Sequence, residues 1–161
     1  MNWTTLFSMQ KKLDDYIAKS HSLVDEDLFD QKVLALIVEL SELANETRSF
    51  KFWSMNQSGD REQIVEEFVD GIHFMLSLGL EKGLTFTGKG ERKGYDTLNE
   101  QFLYMYEVIV SFKKSPTQDT FNNMLLNYLH LGILLNISEE ELFQAYIEKN
   151  EVNFQRQDEG Y

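Results

Sequence analysis

Two acidic pairs carry the clearest chemical potential in this chain: Glu39 with Glu42, and Glu67 with Asp70. Each pair is spaced i, i+3, which on a helix puts both side chains on one face, about 5–6 Å apart at Cβ. Two such helices facing each other would gather four carboxylates around one small volume. Mg²⁺ takes hard oxygen ligands and keeps several of its waters, so this set could hold two or more ions. Two metals about 3.5–4 Å apart can clamp a phosphoanhydride and activate water.

Spacing alone is weak support, because 27 acids in 161 residues produce such pairs by chance on a solvated surface. The surroundings decide. Glu39 follows an apolar run from Val33 to Val38, and Leu40, Leu43 and Ala44 continue it. An ionised carboxylate there is expensive unless it is paired or metal-bound. Glu67 and Asp70 sit between Ile64 and Ile72 and read the same way, with Glu66 beside them as a surface acid. A di-iron bundle would need Glu-x-x-His from two helices. Only Asp70 and His73 approach that pattern, since His130 has Asn127 in the matching place.

The net charge is −12, which argues against a general nucleic-acid binder. It is compatible with a nucleotide enzyme whose bound metals face the substrate. The chain has no cysteine, which excludes disulfides, thiolate metal sites and a cysteine nucleophile. Its longest apolar stretch is too short to span a bilayer. No basic-then-apolar leader follows Met1, so a cytoplasmic location is expected.

These acids need helices to position them. A single proline and long runs free of glycine favour an all-α fold. Periodicity predicts helices over about 4–21, 25–47, 60–80, 96–113, 116–135 and 138–153. Thr4 or Thr5 can cap the first, Asp25 to Asp27 suit the dipole of the second, and Ser138 with Glu141 form a capping box for the sixth. The second helix is apolar nearly all round, as a central bundle helix would be. Residues 81–95, with four glycines and several lysines, read as a flexible connection, and 154–161 as a flexible tail. The expectation is one domain over 1–161, a bundle of about six helices.

Other residues have two readings each. Gln10 faces the core side of its helix, as a structural amide or a ligand contact. Trp53 offers a stacking face or a core aromatic at a helix end, and His73 a contact or a satisfied core histidine. Lys149, Asn153 and Arg156 share a helix face; the cations could meet phosphates or pair with Glu151 and Asp158. His21 and His130 read as structural.

Glu39-Leu40-Ser41-Glu42-Leu43-Ala44-Asn45-Glu46, Phe50-Lys51-Phe52-Trp53 and Glu66-Glu67-Phe68-Val69-Asp70-Gly71-Ile72-His73-Phe74 resemble the dimeric dUTPases. That family belongs with the MazG-like, all-α NTP pyrophosphatases. Leu6 to Gln10 and the closing run from Tyr146 to Gln157, with Gly160-Tyr161, are similar to the family's two ends, whereas residues 83–135 match only in helical character. The resemblance implies a homodimeric hydrolase that converts dUTP to dUMP and pyrophosphate, with dUDP open as a second substrate. It implies that Glu39, Glu42, Glu67 and Asp70 coordinate Mg²⁺ and that one of the first pair orients the attacking water. It places Gln10, Trp53 and His73 around the uracil and Phe74 beneath the deoxyribose, and adds Lys51, Lys149, Asn153, Arg156 and Tyr161 as substrate contacts. Leu13 departs from relatives that carry Asn at that place. Two alternatives stay open: a related pyrophosphatase preferring dCTP or a modified nucleotide, and a non-catalytic acidic helical module.

Overall fold

Side-chain caps set where most of the helices begin. Asn2 Oδ1 accepts from Thr5 N–H at 3.2 Å, Thr97 caps through Glu100 N–H, Thr117 through Thr120 N–H and Ser138 through Glu141 N–H. Each satisfies a donor that the first helical turn leaves unpaired. In the computed structural model, which describes every residue except Asp25, Gln57 and Tyr161, the helices are α1 (Trp3–Ser20), α2 (Phe29–Thr47), α3 (Arg61–Glu81), α4 (Leu98–Lys114), α5 (Gln118–Leu134) and α6 (Glu139–Asp158). The described residues contain no strand.

Three boundaries differ from the periodicity. Asn2, not Thr4 or Thr5, caps α1. The acidic run precedes α2 instead of opening it, and Asp27 accepts from Phe29 N–H; Asp25 lies outside the described residues. Helix α6 continues beyond Asn153 to Asp158, where Phe154 packs on Tyr16 of α1 and Gln157 bonds His21.

Helix α3 is the centre of the bundle, packed by α1, α2, α5 and α6, while α4 pairs with α5 and reaches α2. The core gathers Leu6 from α1, Leu36, Leu40 and Leu43 from α2, Phe68, Ile72 and Met75 from α3, Phe112 from α4, Phe121 and Tyr128 from α5, and Leu142 and Tyr146 from α6. Gly71 lets one of these contacts form: a Cβ there would lie 2.1 Å from the Tyr128 hydroxyl. That hydroxyl donates to the Phe68 carbonyl at 2.9 Å while its ring stacks on Phe68.

Helix α2 is less central than its sequence suggests. Val33, Leu36, Leu40 and Leu43 are buried, but Leu34 is 62% and Val38 45% exposed. Helices α3 and α4 cover two sides of α2, and its third side stays open. The glycine-rich segment is also more ordered than its composition implies. Amides along α5 hold its backbone: Gln118 donates to Thr85 O, Asn122 accepts from Thr87 N–H, Asn123 from Glu91 N–H and Asn127 from Lys93 N–H. Side chains here play the part of a neighbouring strand, pairing backbone groups that would otherwise need water.

Candidate active site

The two acidic pairs meet where α2 packs on α3. Oxygen atoms of Glu39, Glu67 and Asp70, one from each, lie within 4.8 Å of one another. Glu42 is more exposed and stands outside this trio, yet its charge acts on both Glu39 and Glu67. Burial, reinforced by Asp70, Glu42 and Glu67, pushes Glu39 up to about 7. Burial and the charges of Glu42 and Asp70 bring Glu67 to about 7 as well. Asp70 is also raised, by burial, against the opposing pull of Lys149. Like charges confined in a half-buried space resist ionising together, and such a set favours a multivalent cation.

Lys149 comes from α6 and is only 8% exposed. Its Nζ bonds Glu66 Oε1 at 2.6 Å and Asp70 Oδ2 at 2.7 Å. Burial disfavours the ammonium, but these two partners more than offset it and leave its pKa above the ordinary value. An arginine clamp helps to set α6 in place. Arg61, opening α3, holds Glu141 through two guanidinium nitrogens and donates to the Leu135 and Asn136 carbonyls. The capping box at Ser138 is therefore tied to α3, the helix that carries two of the acids.

Beside the acids a cleft of about 630 Å³ opens, large enough for a nucleotide. Glu39, Asp70, Gln10, His73, Phe74, Lys149, Asn153 and Arg156, all singled out in the sequence, line it. Its inner wall is a polar network. Gln10 Nε2 donates to Asp14 Oδ1 at 2.8 Å, which leaves Gln10 Oε1 to accept from His73 Nδ1 at 2.8 Å and from Tyr146 OH at 2.7 Å. Ser77 donates to the other Asp14 oxygen at 2.7 Å. Burial, with Lys149 nearby, drives His73 down to about 3 against a weaker pull from the Tyr146 backbone, so the ring is neutral near pH 7. Its Nε2 is buried and has no hydrogen-bond partner among the described residues.

Two substrate candidates lie apart from this cleft. Trp53 is 65% exposed and meets Phe50 and Phe52 edge-on instead of lining the cleft. Lys51 Nζ bonds Asn45 Oδ1 and lies over the Phe50 ring. Tyr161 is outside the described residues.

The sequence reading missed Asp14, Ser77 and the holding role of Glu66. Asp14 follows Gln10 at i, i+4, so it shares that residue's face, a signal that was available. Glu66 needed the fold, because its partner lies 83 residues away.

The model of the dUTPase family matches residues 2–161, nearly the whole chain. The chain belongs to the dUTPase family. No curated protein matches it. As a dUTPase it is a hydrolase of nucleotide metabolism, converting dUTP to dUMP and pyrophosphate. The helix-only architecture agrees with an all-α dUTPase, and the carboxylate trio provides the kind of oxygen set a divalent metal needs. No described helix is long and apolar enough to cross a membrane.

Proposed function

We propose that this dUTPase works with Mg²⁺ held by Glu39, Glu67 and Asp70, with Glu42 completing the set from the rim. The observation that carries this is the convergence of three carboxylate oxygens within 4.8 Å, two of the acids raised to about 7 by burial and mutual repulsion. Hard oxygen donors with too little positive charge among them are the donor set that Mg²⁺ fits. Bound there, the ion would polarise the phosphoanhydride and lower the pKa of water.

The chain's own groups do the rest. Glu39 and Glu42 orient the attacking water through hydrogen bonds. Lys149 and Arg156 meet the phosphates, the arginine by its planar fork, and Asn153 donates from the same face of α6. Extra cations are needed because four carboxylates and a roughly tetra-anionic triphosphate outweigh two Mg²⁺. As water adds to one of the two bridged phosphorus atoms, its proton passes to the carboxylate that orients it. The P–O–P bond breaks, and the displaced phosphate oxygen leaves with the bonding electron pair, giving dUMP and pyrophosphate.

Gln10 and His73 face the uracil and Phe74 the deoxyribose. Trp53 remains a contact to the base, and Lys51 and Tyr161 remain substrate contacts, although Trp53 and Lys51, on the segment joining α2 to α3, do not line the cleft. Homodimer formation belongs to the same reading, supported by Leu34 and Val38 of α2 and Leu103 and Val110 of α4, exposed on two helices that pack together. So does a cytoplasmic setting.

Glu67→Gln tests the metal assignment, since it keeps the shape and removes a charged ligand. Pyrophosphate release should fall at least about a hundredfold at saturating Mg²⁺ with helix content unchanged. Near-normal turnover would remove Glu67 from the metal site.

A further inference from the structure

Lys149 stands at a boundary between two kinds of acid. Asp70 contributes to the carboxylate trio, whereas Glu66 does not. The two are i, i+4 on α3, one turn apart, so a single ammonium from α6 bridges them at 2.7 and 2.6 Å. Lys149 thus occupies an oxygen of an acid that would ligate a metal. It also sets a positive charge against any divalent ion that enters.

The geometry points to an internal ion exchange: Lys149 is the built-in counter-ion of the carboxylate trio, and Glu66 is the positioning residue that receives it when a divalent cation takes Asp70. This rests on the metal reading proposed above and adds a competitor and a holding partner to it. Glu66 is half exposed at the rim, while Asp70 lies deeper. Swinging from the pair onto Glu66 alone moves the ammonium from the more buried acid to the more exposed one, without stranding it unpaired, which would be costly at a buried position. From there a polyphosphate can collect it. Metal and nucleotide binding are then linked through one lysine. The metal frees Lys149 for the phosphates, and the phosphates relieve the metal of Lys149, with equal coupling in both directions as linkage requires.

The test is Mn²⁺ binding to the full chain without nucleotide, followed by the EPR signal of the free ion. Lys149→Met keeps length and removes the competing charge, so it should bind Mn²⁺ about tenfold more tightly than the wild type, within the usual range of site coupling. Glu66→Gln removes the holding partner and leaves Lys149 on Asp70, so it should bind Mn²⁺ severalfold more weakly. Adding a dUTP analogue with an α,β-imido bridge should tighten Mn²⁺ binding in the wild type and much less in Lys149→Met. Circular dichroism checks that each variant is folded. If Lys149→Met does not fold, the Glu66→Gln titration decides alone. Unchanged or weaker Mn²⁺ binding by folded Lys149→Met, or unchanged or tighter binding by Glu66→Gln, overturns the exchange while leaving the metal site intact. A wild type that binds no Mn²⁺ overturns the metal reading itself, and the exchange with it.

Discussion

The rings of His73 and Tyr146 lie face to face, centroids 4.0 Å apart and planes 14° from parallel, and both residues bond the same atom, Gln10 Oε1. One glutamine oxygen therefore fixes a histidine from α3 and a tyrosine from α6. Asp14 fixes the glutamine in turn. The wall of the cleft is assembled before any ligand arrives, which limits the reorganisation that binding requires.

Tyr146→Phe keeps the stack and removes one donor to Gln10. The cost in stability should be about 1 kcal/mol, as for a typical hydrogen bond. A larger effect is expected on base choice, because a loosened Gln10 rejects the wrong base less firmly. Comparing kcat/KM for dUTP and dCTP in the variant and the parent measures this. An unchanged ratio would detach the network from base selection.

The acids predict a pH dependence for the protein in EDTA. Glu39 and Glu67 stand at about 7, above the ordinary 4.5. Between those values the folded state holds protons that the unfolded chain has released, so their contribution to stability is lost as pH rises through that window. His73, held at about 3, acts oppositely, its contribution being lost as pH falls below 6.5. Thermal melts in EDTA should therefore show the Tm falling from pH 6 to pH 8, and Mg²⁺ should reverse the fall. Glu39→Gln should flatten the curve. A variant whose curve runs parallel to the parent's would contradict the coupling.

Gly71→Ala places a methyl group where the Tyr128 hydroxyl sits, 2.1 Å away. Alanine gains about 1 kcal/mol in helix propensity, but overpacking costs about 1–3 kcal/mol. The hydrogen bond from Tyr128 to Phe68 O is also displaced. Denaturant unfolding should show a net loss of about 1–2 kcal/mol. A variant as stable as the parent would mean that Tyr128 moves aside freely.

Much of this was legible in the chain because the strongest signals are local. Helix spacing located the helices, and the Ser138–Glu141 capping box fell where α6 begins. Glu39, Glu67 and Asp70 could be paired because acids set among apolar neighbours need a reason to be there. What was not legible depends on contacts distant in sequence. The order of residues 85–95 comes from amides on α5, some 32–36 residues on. Glu66 looked like a surface acid because nothing nearby reveals Lys149. The open side of α2 was hidden for the opposite reason: apolar residues indicate burial without saying which chain covers them.

The most direct test of the account is pyrophosphate release by the purified protein with Mg²⁺ and a panel of dUTP, dCTP, dTTP and UTP. The account predicts Mg²⁺-dependent conversion of dUTP to dUMP and pyrophosphate, with the highest kcat/KM in the panel and abolition by EDTA. Preference for dCTP, or no release that depends on a divalent metal, would contradict it.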